Sequence, residues 1–249
     1  MDIPIRVHLV CGGRFHDFDY ARLELLNLLA SDERIRTTVS NDYRDLGALD
    51  ASTCLITYTC DVRPTEAEQE ALAEWVRAGG RWLALHGTNS ALDLTPDGVV
   101  APRVIPKLAE TLGSQFVAHP PIAAYQVQVT QPDHPLVSGL AAFETSDELY
   151  LSEMHGEIQM LLHSEFVGEA KGFVESSWLE PRRHAVMYLH PVGAGEVLYL
   201  TLGHCRGHYD MVPVVDYWPT VDRGSWESET YRVLLRRGVR WMTGSEEFE

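Results

Sequence analysis

Three histidines of this chain stand where a short apolar run gives way to glycine or a turn. Arg81 to Leu85 runs into His86-Gly87, Val197 to Leu202 runs into Gly203-His204, and the first strand-like segment, Ile5 to Cys11, ends just before Gly12-Gly13-Arg14-Phe15-His16-Asp17. Imidazole carries protons near neutral pH and ligates metals. A histidine at the carboxyl end of a strand in an open α/β sheet faces the cleft where such sheets bind ligands. Any one of these rings could simply bond to a loop; as a group drawn from distant segments they point to one site. His119-Pro120 and Asp133-His134-Pro135 hold two further histidines in turns fixed by proline, of which His134 is more simply explained by structural hydrogen bonding.

Asp147-Glu148-Leu149-Tyr150 adds two carboxylates and a phenol. Adjacent residues of a regular strand point to opposite faces, so one of Asp147 and Glu148 addresses the site and the other anchors loops. Beside an imidazole, a carboxylate orients the ring, binds a hydroxyl or takes a proton. His86, His204 and Glu148 are therefore the candidate acid–base groups. His16, Asp17, Asn89, His119, Asp147, Tyr150, Arg206 and His208 are the candidate substrate contacts, with Tyr209, Tyr217, Trp218 and Trp226 as aromatic faces for a sugar ring. Asp17 has an equal alternative as the cap of the following helix. His16, His86, His119 and His204 could instead hold a divalent metal such as zinc, with Asp17 or Glu148 in reserve. No HxH or HExxH spacing fixes a ligand set, so metal-assisted and purely acid–base chemistry both stay open.

These residues need elements to bring them together. Ile5 to Cys11, Ile35 to Ser40, Thr53 to Thr59 and Arg81 to Leu85 are short apolar strands. Tyr20 to Ala30, with leucines at helical spacing, and a helix opened by Pro64-Thr65 and ended by Gly79-Gly80 lie between them. This alternation predicts a mostly parallel sheet flanked by helices and joined by right-handed crossovers. From Ile122 the texture changes. Tyr125 to Thr130, Glu157 to Phe166, His184 to His190 and Glu196 to Leu202 are strands with little helix between them, and Pro191 to Gly195 is a hairpin turn, which predicts an antiparallel extension. Arg206 to Trp226 is a long irregular segment expected to cover the cleft. Ser228 to Met242 closes the chain as a helix with one apolar face.

The 249 residues suit one α/β domain spanning 1–249. With 20 basic and 36 acidic side chains the net charge is −16, which argues against nucleic acid and anionic membranes as partners. No segment approaches the roughly 20 apolar residues of a membrane span, and the N-terminus lacks a leader pattern, so a cytoplasmic location is expected. The four cysteines form no CxxC pair and read as buried free thiols. No GxGxxG follows the first strand, so a tightly bound dinucleotide is not expected. A small-molecule sugar or sugar derivative is the expected partner, and a homo-oligomer is open.

Leu112 to Pro120, Asp133 to Leu140, Phe143 with Ser146 to Tyr150, Gly79 to Gly87 and Gly195 to His204 together resemble the trehalose-utilisation, or ThuA-like, family, in order from about Val7 to Gly244. The resemblance implies a flavodoxin-like fold related to class I glutamine amidotransferases, and a link to the catabolism of disaccharides or oxidised sugars. In those relatives a cysteine nucleophile occupies the turn that Leu85-His86-Gly87-Thr88-Asn89 fills here. Imidazole cannot form the same thioester, so glutamine hydrolysis by that route is not expected. The resemblance also places His86 facing the cleft and His119 near it. The resulting expectation is an isomerase or hydrolase acting on a disaccharide or keto sugar; the alternative is a non-catalytic carbohydrate-binding or regulatory module.

Overall fold

The computed structural model describes residues 3–244. The first half is built as strand–helix repeats: β1 (Ile5–Gly13), α1 (Phe18–Ala30), β2 (Ile35–Ser40), α2 (Leu46–Asp50), β3 (Cys54–Cys60), α3 (Glu66–Arg77) and β4 (Arg81–Leu85). After a short 3₁₀ turn at His86–Asn89 come a small hairpin, β5 (Asp93–Thr95) and β6 (Gly98–Val100), then α4 (Pro106–Leu112) and β7 (Ser114–Ala118). Strands dominate the remainder: β8 (Ala123–Val129), β9 (Phe143–Asp147), β10 (Leu151–Met154), β11 (Gln159–Glu169), β12 (Ser177–Val192) and β13 (Gly195–Leu200). A 3₁₀ turn at Gly224–Glu227 and α5 (Glu229–Thr243) complete the described chain.

The central sheet has nine strands in the order β2-β1-β3-β4-β13-β12-β11-β8-β9. β2, β1, β3, β4 and β13 run parallel, and β12, β11, β8 and β9 extend the sheet antiparallel. The expected architecture, a parallel sheet with an antiparallel extension, is the one observed. β13 is the pivot: it returns by a hairpin from β12 yet lies parallel beside β4, with Leu200 opposite Leu85. That pairing brings the residues after β4 and after β13 to the same edge of the sheet.

Alternation along the strands explains the two helical layers. On β4, Leu83 and Leu85 belong to the core under α1 and α5, together with Leu25, Leu29, Leu234 and Leu235, while Trp82 and Ala84 belong to the core under α3 and α4, with Leu72, Val76 and Leu108. α3 begins where Pro64-Thr65 predicts, on a capping box in which Thr65 Oγ1 accepts from Glu68 N–H and the Glu68 carboxylate accepts from Thr65 N–H. All four cysteines are buried free thiols. β11 and β12 reach further than the apolar pattern indicates, to Glu169 and back to Ser177, because their outer halves pair with each other over polar residues. A two-stranded ribbon of β10 and β7, which has no alternation to announce it, lies apart from the main sheet. No helix among the described residues is long and apolar enough to cross a membrane.

Candidate functional site

The ends of β1, β3 and β4 share an uncommon backbone. Phe15, Asp61 and His86 all have positive φ, at 73°, 54° and 45°, a region costly for residues with a Cβ and retained mostly where surrounding structure enforces it. At His86 the strand turns directly into a 3₁₀ helix, and the ring Nδ1 lies 2.8 Å from the Thr201 carbonyl oxygen beyond β13. Gly13 permits the equivalent turn after β1, since its φ is 129° and a Cβ there would strike the Cys60 carbonyl oxygen. His16 is thereby delivered over His86.

Glu148 is the centre on which the site is organised. β9 ends at Asp147, so Glu148 leaves the sheet and enters a ring of imidazoles. Its Oε2 lies 3.4 Å from His86 Nε2 and 3.8 Å from His16 Nε2. Its Oε1 lies 3.1 Å from His204 Nδ1 and 3.5 Å from both His119 Nε2 and an Arg206 terminal nitrogen. Burial opposes ionisation of Glu148, but His119, His204 and His16 outweigh it and hold the carboxyl well below its usual range. Burial drives His16 down to about 3. His204 goes the other way: burial opposes its charge, yet Glu148 and Asp222, the latter 3.5 Å from Nε2, raise it to about 9.

The donor arrangement around His16 and His86 is informative. Both Nδ1 atoms face backbone carbonyls, that of Arg14 at 3.3 Å and that of Thr201 at 2.8 Å, so both Nε2 atoms carry lone pairs, and these face each other at 2.9 Å. Two acceptors at that distance require a proton or a cation between them. His16, His86, Glu148 and His204 each offer a ligand atom within 4.8 Å of the others, a set suited to zinc or a similar divalent ion. Carbonyl-bonded imidazoles next to a buried carboxylate are the usual surroundings of a metal-ligating histidine.

The four histidines singled out in the sequence surround one carboxylate, but they divide into two layers. His16, His119, Glu148, Tyr150 and Arg206 line a cavity of about 180 Å³ at the carboxyl edge of the sheet. His86 and His204 are fully buried and do not line it. They sit behind Glu148 and His16, away from the cavity wall. His119 is partly exposed, its Nδ1 2.8 Å from the Pro120 carbonyl oxygen, and it lies outside the four-residue donor group. Tyr150 places its hydroxyl 3.3 Å from His86 Nε2.

Four expected substrate contacts lie elsewhere. Asp147 is fully engaged with the backbone: its carboxylate accepts from the N–H groups of Gly203, His204 and Ser225 and from the Ser225 hydroxyl. Asp17 caps α1 through Tyr20 N–H and pairs with Arg223 at 2.8 Å. Asn89 is buried under the turn, where its side chain donates to Ser114 Oγ and its backbone to the Tyr199 hydroxyl. His208 stacks on Tyr217 and bonds to the Trp218 carbonyl within the long loop. None of the four expected aromatic residues lines the cavity; Trp226 packs in the core on Tyr231 and donates to the Gly203 carbonyl. The aromatic side chains that line it are Phe15, Phe116, Phe173 and Tyr150. The loop does contribute to the roof through Met211 and Val214, its base closed by reciprocal Arg206–Asp222 backbone bonds. Asp222 itself, the partner of His204, has no sequence signal beyond its position in an acidic loop. A larger groove of about 710 Å³, lined by Val117, Glu153, Trp178 and His184 among others, contains none of the cluster.

The family profile described as ThuA, trehalose utilisation, matches residues 6–217. No curated protein matches the sequence in a direct comparison. Among solved structures, a ThuA-like protein from Bacteroides uniformis superposes with a TM-score of 0.67 at 16% identity, over 97% of this chain and 93% of the other. One from Parabacteroides merdae gives 0.61 at 15% identity, over 96% and 90%. A protein from Salmonella typhimurium described as cytoplasmic gives 0.51 at 13% identity, over 97% and 98%. At these identities the likeness is one of fold.

Proposed function

Because the chain belongs to the ThuA family, which is linked to trehalose utilisation, we propose that the cavity above Glu148 takes an oxidised, ketone-bearing sugar and transfers a proton on it, with His119 as the base. The observation that carries this reading is the pairing of a cleft-facing imidazole with a buried carboxylate. His119 has one nitrogen against the Pro120 carbonyl, and its other nitrogen lies at the cavity wall, 3.5 Å from Glu148. A carboxylate so placed stabilises the imidazolium formed when the ring takes a proton from carbon.

Glu148 is itself a poor base, since a carboxylate held far below its usual range accepts protons weakly. Its other oxygen is shared with His16 and His86. Those two Nε2 atoms and Glu148 fit a divalent ion such as zinc, which when bound would polarise the ketone oxygen as a Lewis acid. Arg206, donating to the Phe15 carbonyl and facing Glu148, orients the substrate oxygens at the cavity wall. Ordinary glycoside hydrolysis fits less well. It uses two carboxyl groups flanking the scissile bond, and Asp147, the adjacent candidate, is held by backbone amides.

The test is to incubate the zinc-supplemented protein with ketone forms of simple glucosides in heavy water and follow deuterium entering the carbon next to the ketone by NMR. Exchange by the wild-type protein is expected, falling on the order of 100-fold or more in His119→Ala with metal content unchanged. Sugar binding without exchange would sink the enzyme reading and favour a carbohydrate-binding module.

A further inference from the structure

We propose that the sugar carries an apolar aglycone, an aryl or branched alkyl group, rather than a second sugar ring; this rests on the reading of the site given above. The polar groups of the cavity gather around Glu148: His16 and Tyr150 are buried with it, and His119 and Arg206 lie beside it. The rest of the wall is largely apolar and comes from five separate segments: Phe15 after β1, Leu92 and Val99 around the β5–β6 hairpin, Phe116 on β7, Phe173 between β11 and β12, and Met211 from the long loop. Phe116 and Phe173 meet edge to face at 5.7 Å, and Phe173 meets His119 at 4.9 Å, so the aromatic wall begins directly beside the base.

A second pyranose in that space would place several hydroxyls against side chains that neither donate nor accept, and each unpaired hydroxyl retains its desolvation penalty. An aromatic or branched alkyl group meets the same walls favourably, with edge-to-face geometry available on two sides. The sugar end still requires hydroxyl recognition, which the polar groups around Glu148 supply. The cavity therefore has its polar groups gathered around Glu148 and apolar side chains over the rest of its wall, matching a molecule that is polar at one end and apolar at the other.

Binding of three probes to the zinc-supplemented protein by isothermal titration tests this: the ketone forms of phenyl glucoside, methyl glucoside and trehalose. The phenyl compound is expected to bind roughly tenfold or more tightly than either of the others. Phe173→Ala and, independently, Met211→Gln should each reduce that preference severalfold, with a smaller effect on the methyl compound. Trehalose-derived ketone binding as tightly as the phenyl compound would overturn the aglycone assignment. If it also exchanged deuterium, the proton-transfer reading would stand. Binding of none of the three would overturn both. Equal affinity for phenyl and methyl compounds would show that the apolar wall is not used and would overturn the aglycone assignment alone.

Discussion

His16 and His204, both against Glu148, are tuned in opposite directions, and this makes stability depend on pH in a way that separates them. His204 is raised to about 9 by Glu148 and Asp222 against its burial, so its contribution is fully present below the unfolded value of about 6.5 and is lost as pH rises toward 9. His16 is lowered to about 3 by burial, so keeping it neutral disfavours the native state progressively as pH falls below about 6.5. For the metal-free protein these two rings together place greatest stability near pH 6.5. Asp222→Asn should flatten the alkaline limb, removing part of a contribution of roughly 3 kcal/mol between pH 6.5 and 9. Urea titrations at pH 6.5, 8 and 9.5 check this; parallel losses in wild type and variant would show that Asp222 does not support the His204 charge. The relevant signal in the sequence was partial. Histidine at strand ends marked the cluster, but the choice between Asp147 and Glu148 depended on where β9 stops, and adjacent positions gave no way to read that.

The carboxylate of Asp147 joins three elements that arrive from different parts of the chain: the end of β9, the segment after β13, and the 3₁₀ turn at Gly224–Glu227. Gly203, with φ of 118° and no room for a Cβ beside the Tyr231 hydroxyl, lets the chain turn so that two successive N–H groups reach that carboxylate. Without it those amides are buried and unpaired. Asp147→Ala is therefore predicted to lose about 2–4 kcal/mol of stability and to displace His204, read as a fall in the urea midpoint together with loss of the raised His204 titration in NMR. A change under 0.5 kcal/mol with an unaltered His204 signal would show that the junction holds without it. The parallel strands, α3 and α5 were legible because apolar spacing and end signals agree there. The ribbon of β7 and β10 was not, because both strands are short and β7 is buried along its whole length, which removes the period-2 pattern.

At the scale of the molecule, occupancy of the buried donor set should stabilise the whole fold, since an ion bound only by the native state shifts the unfolding equilibrium. Zinc at about 100 times its dissociation constant corresponds to about 2.7 kcal/mol, a rise of roughly 5–10 °C in Tm for a chain of this size, reversed by chelator. The double variant His16→Ala, His86→Ala should lose that rise; the same zinc response in the variant would place the ion elsewhere on a chain of net charge −16. Sequence alone determined the layered architecture, because hydrophobic periodicity fixes which faces must be buried, and glycine and proline fix where strands and helices stop. It also determined which residue types stand at the carboxyl ends of the strands. Only the tertiary structure decided that β13 lies parallel beside β4, and with it that His86 and His204 form a rear layer while His16 and His119 reach the cavity. Depth behind a carboxylate is a property of strands packed side by side, and nothing local in the chain encodes it. The apolar walls were invisible for the same reason: Phe15, Val99, Phe116, Phe173 and Met211 share no segment and no period, and they meet only after the sheet has placed their loops.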